Sequence, residues 1–412
     1  MPKLTPKLLF LLLIGGLIAG VVGMTLITLL HFIQQAVYAI SRTEGITFRI
    51  MVEQTTGMHR LLALLCCGMV AGLGWWLLHR FAAKLVNINQ AISNDPKPLP
   101  LSSTIMHGLL QIVTVGMGSP LGRESAPREI SSALAEQCGR WLNITDDERS
   151  ILLACTAAAG LAAVFDVPLA GTLFALETLL LSFSGTAVLA ALICCTTAAW
   201  LASLGLGTTP TYHLPQFHLN HALLMWAVLL GPVIAICSWI LQRQLTACQP
   251  KDRKNPNLIV ISVCAFAMIG VISIWLPEIL GNGKAGNELS FADAITWRYA
   301  LALLLGKWLA LLLATRGGAY GGMITPSMML GSLLALIIAS IWNIFLPEIS
   351  VVAACIVGAT VFLAVQQKMP ITAMVFVLEI TDVTPQIIMP IMLALLTALP
   401  CYKFLQQVLI KQ

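Results

Sequence analysis

The chain has 412 residues, of which 58% are hydrophobic and only 10% are charged, and its formal net charge is +5. Soluble domains carry about 25% charged residues, so little water-facing surface can be built from this composition. We therefore expect a lipid bilayer as the surroundings of the chain. The basic residues are scattered and form no patch, so we expect no nucleic acid as a partner.

Apolar runs long enough for membrane helices recur along the whole chain and predict an all-α polytopic membrane protein. The first run, Leu8 to Leu30, has no charged residue, and no signal-peptide cleavage site ends it, so it is predicted as the first spanning helix. Several runs are shorter than the roughly 20 residues of a full span, or are broken by Gly and Pro. Broken helices are tolerated at membrane depth only where they are buried in protein or line a polar cavity. The apolar segments are 8–40, 61–80, 104–121, 151–164, 167–183, 186–205, 222–242, 257–276, 297–315, 323–346, 350–365 and 370–400.

Cysteine and histidine point neither to a disulfide framework nor to a metal site. No Cys-x-x-Cys occurs among the eleven cysteines, and the two adjacent pairs lie inside apolar runs, which is typical of buried thiols. His213, His218 and His221 form the densest histidine group, but they lie in a polar connector that contains proline, where a solvated loop is expected. We therefore expect no metal and no cofactor.

Two ten-residue segments half a chain apart resemble each other. Pro168–Glu177 reads PLAGTLFALE and Pro370–Glu379 reads PITAMVFVLE, with Phe, Leu and Glu at the same positions and an offset of 370 − 168 = 202 residues. Two similar halves that meet at a midplane site are a recurrent plan among transporters. We predict a first transmembrane repeat at 1–205, a second at 206–412, and no soluble domain.

A glycine-rich break interrupts an apolar segment of the first half. Residues 116–127 read GMGSPLGRESAP, and a helix-compatible run resumes at Arg128, which places Arg123 and Glu124 at a helix start. A helix N-terminus favours an anion, and a charge inside a membrane is a functional hypothesis by default. A carboxylate held there can occupy an anion's place and leave it when protonated, which describes a gate. From these residues alone, the alternative is an Arg123/Glu124 or Arg128/Glu129 ion pair on a loop at the membrane edge.

A second glycine-rich break lies in the other half. Residues 316–326 read RGGAYGGMITP, and four glycines in six positions cannot form a stable helix interior. Pro326 suits the first turn of the next helix, so the N–H groups of Met323 and Ile324 are expected to point along its axis. The alternative is a flexible interhelical loop, which the depth in apolar sequence disfavours. Two helix starts, one in each half, are candidates to face a common anion.

These residues resemble a known family. Gly122–Pro127 (GRESAP) resembles the G-R-E-G-P motif of the CLC chloride channels and proton/chloride antiporters, and Gly321–Pro326 (GGMITP) is similar to its G-x-F-x-P motif. PLAG at 168–171 with Glu177, and LEITD at 378–382, match further signatures in the same order. The resemblance is to bacterial members without regulatory domains and covers nearly the whole chain. It implies a homodimer in the cell inner membrane, in which each subunit has its own anion pathway and two inverted repeats.

The resemblance also implies roles by position. Glu124 would be the gating glutamate, with the amides of Arg123, Glu124 and Ser125 at an outer anion site. The amides of Met323 and Ile324 would coordinate a central anion, which is the bound and transported chloride. Valine at one motif glycine, position 322, is expected to abolish flux, because positive φ is expected there. The motif glycines and prolines are Gly122, Pro127, Gly321, Gly322 and Pro326.

Three positions depart from the family pattern. The family's G-S-G-I-P serine should fall near residues 83–89, which read AKLVNIN. Tyr402 falls too early to be the tyrosine that closes the inner side. The inner proton-transfer glutamate follows the position of Glu177, and here that coupling position is Thr178, whose hydroxyl does not ionise near neutral pH. Some antiporters of this family tolerate a non-carboxylate there.

These features predict transmembrane transport of chloride or a similar small anion, gated by Glu124. Thr178 favours a chloride channel of the voltage-gated family or a weakly coupled conductor. The alternative is a proton/anion antiporter for chloride, nitrate or fluoride. A remote alternative is an intramembrane enzyme with Glu177 and Glu379 as acid and base, but no zinc, nucleophile or phosphate-binding motif accompanies them. We therefore predict that the chain is not an enzyme.

Overall fold

The computed structural model describes residues 4–38, 47–93, 95–207 and 211–409. Within these residues the regular structure is helical, apart from one isolated bridge between two glycines, so the predicted all-α fold is confirmed. Eight of the described helices are long and apolar enough to cross a membrane. The chain is therefore a polytopic membrane protein.

The described α-helices include both long spans and short pieces. Those before residue 210 are α1 Pro6–Tyr38, α2 Phe48–Gln54, α3 Gly57–Phe81, α4 Ile88–Ala91, α5 Leu101–Gly116, α6 Ser125–Trp141, α7 Asp146–Phe165, α8 Pro168–Phe174 and α9 Gly185–Leu206. Those after it are α10 His221–Cys248, α11 Asn257–Ile272, α12 Lys284–Phe291, α13 Trp297–Arg316, α14 Ile324–Phe345, α15 Val351–Gln367, α16 Pro370–Thr381 and α17 Ile388–Leu409. One π-helical turn and two 3₁₀ turns are also described, at Ala175–Leu179, Pro277–Ile279 and Pro385–Ile387.

The apolar segment 370–400 forms two helices and not one. α16 ends where Asp382 adopts a left-handed conformation with φ 49°, and Pro385 then begins a short 3₁₀ turn before α17. Hydropathy does not distinguish this break from a continuous helix, because the residues on both sides of it are apolar. The first apolar run, in contrast, forms the single predicted helix α1.

The two helix pairs around the repeated decapeptides share their local geometry. α7 is followed by the C-cap residue Asp166 and α15 by the C-cap residue Lys368, each with φ 56°. Two residues after each cap, Pro168 and Pro370 begin the next helices. A proline in the first helical turn has no N–H to leave unpaired, which explains why both helices begin there. The geometry repeats at the 202-residue offset of the sequence, whereas the division of the chain at residue 205 stays a prediction.

Contacts group the described residues into two compact units. Unit 1 comprises Met1–Ile33, Gly74–Val113 and Arg123–Thr211. At its centre, α7 packs against α6, α8 and α9, and all residues from Ile151 to Phe165 are buried. The many alanines of this helix let its neighbours approach closely, which is how membrane helices gain packing energy.

Unit 2 comprises Gln34–Leu73, Thr114–Gly122 and Tyr212–Gln412 in their described parts. Its most extensive packing joins α14 and α15. A Cβ added to Gly358 would lie 2.5 Å from the Gly331 carbonyl oxygen, so the two backbones meet at a pair of glycines. Small residues at such crossings allow the close contact that drives helix association in lipid.

Candidate functional site

Glu124 is the N-cap residue of α6, and its side chain is completely buried. The helix begins at Ser125, so the expectation that it resumes at Arg128 was wrong by three residues. Pro127 explains the difference, because a proline is accommodated within the first turn of a helix and does not have to precede it. The carboxylate therefore lies at the positive end of a helix dipole, where unpaired backbone N–H groups accumulate.

The first turn of α6 rests directly on α7. A Cβ on Gly160 would lie 2.6 Å from the Pro127 carbonyl oxygen and 3.0 Å from the Arg128 nitrogen, so only glycine permits this approach. The Arg123 guanidinium carbon lies 5.5 Å from the centre of the Phe165 ring, which is a cation–π arrangement. These contacts fix the start of α6 within unit 1.

In unit 2, the chain that leads towards Glu124 pairs with the chain that leads into α14. Gly122 donates its N–H to the Gly322 carbonyl at 2.7 Å, and Gly322 donates to the Gly122 carbonyl at 2.9 Å. A Cβ on Gly321 would lie 2.5 Å from the Cβ of Leu121 and 2.9 Å from the Gly122 oxygen. The close approach therefore requires glycine at position 321.

The reason expected for glycine at position 322 was wrong. Gly322 does not have positive φ, and among the described glycines of 317–322 only Gly318 does, with φ 78°. Met323 is the N-cap residue of α14, Ile324 is its first residue and Pro326 lies in its first turn. The helix start thus lies where the sequence places it. The residue pair that leads into it, Gly122 and Gly322, is joined by two backbone hydrogen bonds, and Gly322 forms no left-handed turn.

Buried hydroxyls lie in the first turn of α14 and in the glycine-rich segment before Gly122, and sequence reasoning missed them. The hydroxyl oxygens of Ser119, Thr325 and Ser327 are buried and make no hydrogen bond within the described part of the chain. Buried polar groups are normally paired, so each is able to donate to a group that the protein itself does not supply. Their signal in the sequence is the presence of Ser and Thr within or directly after the glycine-rich motifs, although an apolar side chain costs less to bury.

The segment before Gly122 is anchored from two sides. The Tyr38 hydroxyl donates to the Met117 carbonyl at 2.7 Å, and the Gly281 N–H donates to the Gly118 carbonyl at 3.1 Å. Gly118 has φ 106°, and a Cβ there would lie 2.6 Å from the Tyr38 oxygen. Glycine is needed at this turn both for its conformation and for space.

A fully buried lysine holds the second of these anchors. Lys307 of α13 donates to the Ile279 carbonyl at 3.0 Å and to the Gly281 carbonyl at 2.7 Å. Its ammonium group thereby donates to two carbonyl oxygens in the turn before α12 that accept no hydrogen bond within a helix. The lysine thus supports the backbone around Gly118 through Gly281.

The segment that lacks the expected serine has its own structure. The Asn87 side chain caps the one-turn helix α4 by accepting a hydrogen bond from the Gln90 N–H. The Gln90 side chain in turn accepts a hydrogen bond from the Asn87 N–H. Arg149 holds this turn through a 2.7 Å hydrogen bond from its Nη1 to the Ala91 carbonyl. A capping box therefore begins within the segment 83–89, where the sequence analysis expected the serine motif. Tyr402 is buried within α17.

Arg149 is in turn oriented by a buried carboxylate. Glu136 has 1% of its side chain exposed and accepts from Arg149 Nη2 at 2.8 Å and from Arg140 Nη2 at 3.0 Å. It also accepts from the Leu99 N–H at 2.8 Å. This cluster ties α4, α6 and α7 together in unit 1.

The helical geometry changes at the coupling position. Residues Ala175–Leu179 form a π-helical turn, closed by the Leu180 N–H that donates to the Ala175 carbonyl at 2.8 Å. The Thr178 hydroxyl donates to the Phe174 carbonyl, so it is engaged within its own helix. Such π turns are frequent at functional sites. The second decapeptide shows none, since α16 stays α-helical to Thr381.

Comparison with known proteins identifies the family. The family description "Voltage gated chloride channel" matches residues 62–401. The H(+)/Cl(-) exchange transporter ClcA of Vibrio vulnificus is 26% identical over 422 residues, covering 96% of this chain and 86% of the relative. A putative chloride channel protein ClcB-like of Ralstonia nicotianae is 23% identical over 355 residues, covering 82% of this chain and 81% of the relative.

Solved structures share the fold. A slow cyanobacterial Cl-/H+ antiporter superposes with a TM-score of 0.83 at 20% identity, and each chain is covered completely. A CLC-type fluoride/proton antiporter gives a TM-score of 0.76 at 20% identity, with 96% of each chain covered. Because the family description matches most of the residues and the fold agrees throughout, this chain belongs to the voltage-gated chloride channel (CLC) family of anion transport proteins.

Proposed function

We propose that the protein exchanges chloride or a similar small anion for protons, with Glu124 as the group that alternates between an anion position and a protonated state. The observation that carries this proposal is the completely buried carboxylate at the N-cap of α6. Burying a charge inside a membrane protein costs free energy, so a buried glutamate is expected to have a function. At a helix start, a carboxylate competes with a mobile anion for the same N–H groups.

The gate follows from this competition. When Glu124 is ionised, its carboxylate is attracted to the positive start of α6 at the amides of Arg123 to Ser125 and excludes the anion. When it takes up a proton, its attraction to the helix start is lost, and an anion replaces it. Each replacement therefore links one protonation event to one anion movement.

A second anion position is proposed at the start of α14. The amides of Met323 and Ile324 supply backbone donors there, and the unpaired hydroxyls of Thr325 and Ser327 supply further ones. In this chain these hydroxyls replace the serine that is missing from 83–89. Hydroxyl and amide donors suit a monovalent anion.

The relatives favour exchange over the channel that the sequence predicted from Thr178. Several curated relatives are named H(+)/Cl(-) exchange transporters, and one of the similar structures is a fluoride/proton antiporter. The ClcB-like relative is named a putative chloride channel, and it supports the channel as the second candidate. We further propose that the protein works as a homodimer in the inner membrane, as its family resemblance implies.

The test is anion efflux from proteoliposomes with the external pH recorded at the same time. Chloride, nitrate and fluoride are compared in separate vesicle batches, and vesicles without protein serve as the control. Selective chloride efflux accompanied by proton uptake supports the proposal. Efflux without proton movement supports the channel, and no efflux of any of the three anions contradicts both.

A further inference from the structure

Two titratable side chains outside the anion sites face each other inside unit 1. His107 lies on α5 and Glu129 on α6, with 3.6 Å between the His107 Nε2 and the Glu129 Oε2. Their side chains are 6% and 24% exposed. Gln111, one turn after His107, donates from its Nε2 to the same carboxylate oxygen at 3.2 Å. Ionisable groups buried inside a membrane protein are candidate functional residues.

A third residue fixes the proton of the imidazole. The Trp75 indole Nε1 donates to the His107 Nδ1 at 3.0 Å. Because an indole is only a donor, Nδ1 must accept, and the proton of the neutral ring lies on Nε2, which faces Glu129. An imidazolium would carry a proton on Nδ1 as well and would lose the bond to Trp75. Glu129 is therefore the member of the pair that takes up and releases a proton.

Arg128 connects this carboxylate electrostatically with Glu124. Glu129 lies five residues after Glu124, about 7.5 Å further along the helix axis. The charge of Arg128 interacts with both carboxylates, and its guanidinium carbon lies 4.3 Å from the centre of the Phe174 ring. Among the described residues, His107 Nε2 lies 3.6 Å from the Glu129 carboxylate, whereas Arg128 makes no ion pair with that carboxylate.

The remaining neighbour of α6 adds no charge at this level. α7 carries its acidic and basic side chains in its first turn, Asp146–Arg149, and Arg149 is paired there with Glu136. Glu136 lies about two turns beyond Glu129 on α6. The groups that act directly on the Glu129 carboxylate are therefore Arg128, Gln111 and His107.

We propose that Glu129, oriented by His107 and Gln111, is the second proton-binding site of the transport cycle and takes the role that Thr178 does not fill. This inference rests on the proposed exchange of anions for protons. A proton that leaves the carboxyl of Glu124 passes through water to the carboxylate of Glu129. The single negative charge moves from Glu129 to Glu124 in the same step, and Arg128 stabilises it at either position.

The experiment measures chloride efflux and proton uptake in the same proteoliposomes for four forms of the full chain. These are the unmodified protein, Glu129→Gln, Glu129→Asp and the matched control Glu53→Gln, which changes a glutamate in an exposed pair with Arg49. A carboxamide does not titrate, so Glu129→Gln is expected to keep its chloride efflux and to lose proton uptake by roughly tenfold or more. Glu129→Asp keeps a carboxyl group and is expected to keep uptake with a shifted pH profile. Glu53→Gln is expected to match the unmodified protein.

The outcomes separate this inference from the proposed function. If the unmodified protein and Glu129→Gln take up protons equally, the role of Glu129 is overturned, whereas the proposed exchange function stands. Parallel loss of efflux and uptake in folded Glu129→Gln shows a structural pair and also overturns it. If Glu129→Gln does not fold, an unchanged pH profile in Glu129→Asp overturns it. Efflux without uptake in the unmodified protein overturns the exchange function and this inference together.

Discussion

Gly122 and Gly322 pair their backbones through two reciprocal hydrogen bonds of 2.7 and 2.9 Å. They lie 200 residues apart in the sequence and belong to the two glycine-rich motifs. The peptide before Arg123 is thereby fixed to the peptide before Met323. A shift of either motif changes the other, so we expect substitutions at the two motifs to affect transport in the same way.

The close approach at Gly321 predicts a strong effect of a single methyl group. Alanine at this position would place its Cβ 2.5 Å from that of Leu121, so the paired backbones must separate. We predict that Gly321→Ala loses most chloride efflux while the protein still purifies as a folded membrane protein. The control is Gly185→Ala, because a Cβ there meets no atom within 4 Å. Equal efflux from the two variants would contradict the importance of the pairing.

The hydroxyl of Thr325 is predicted to bind the transported anion. Thr325→Val keeps the shape of the side chain and removes one donor, which is worth about 1 kcal/mol, or about fivefold in anion affinity. The matched control is Thr246→Val, whose exposed hydroxyl donates to the Gln242 carbonyl of its own helix. Isothermal titration of chloride to the detergent-solubilised variants measures the difference. Unchanged affinity in Thr325→Val would remove this hydroxyl from the anion site.

The buried cluster around Glu136 is predicted to stabilise unit 1 without taking part in transport. Glu136→Gln leaves the Arg149 guanidinium without its charge partner, and loss of one member of a buried pair costs about 3 kcal/mol. We therefore expect a clearly lower Tm in detergent. The control is Glu53→Gln, because the ion pair of Glu53 among the described residues is an exposed one with Arg49, which contributes little. Equal Tm values for the two variants would contradict the account.

Lys307 is predicted to hold the turn that supports Gly118. Lys307→Met fills a similar volume but leaves the Ile279 and Gly281 carbonyls unsatisfied, which costs about 2 kcal/mol. We expect a lower Tm and reduced chloride efflux, because the Gly281 bond to Gly118 loosens. Lys307→Arg retains donors and should recover part of the efflux. Full efflux in Lys307→Met would show that this anchor is dispensable.

Much of the fold follows from patterns that the sequence makes explicit. Charge-free runs such as 8–30 indicate membrane helices, and the glycine-proline motifs indicate where helices begin at Glu124 and Met323. These signals are local and depend on composition. The pairing of Gly122 with Gly322 is not local, because nothing in either motif specifies the register of two segments 200 residues apart.

The polar contacts were less accessible from the sequence. From the sequence, the candidate partner of Glu129 is its neighbour Arg128. In the structure, His107 from another helix faces Glu129. The π turn at Ala175–Leu179 was likewise invisible, since its sequence closely resembles that of the α-helical repeat. Side-chain partners between helices depend on rotation and depth, and a hydropathy pattern fixes neither.

Glu124→Gln tests the central claim most directly. Chloride efflux and external pH are recorded together in proteoliposomes of this variant and of the unmodified protein, at several external pH values. The account predicts that the unmodified protein takes up protons against their gradient while chloride leaves. It also predicts that Glu124→Gln conducts chloride at a rate independent of pH, with no proton uptake, because a carboxamide cannot titrate. Proton uptake by Glu124→Gln, or an unchanged pH dependence of its chloride efflux, would contradict the account.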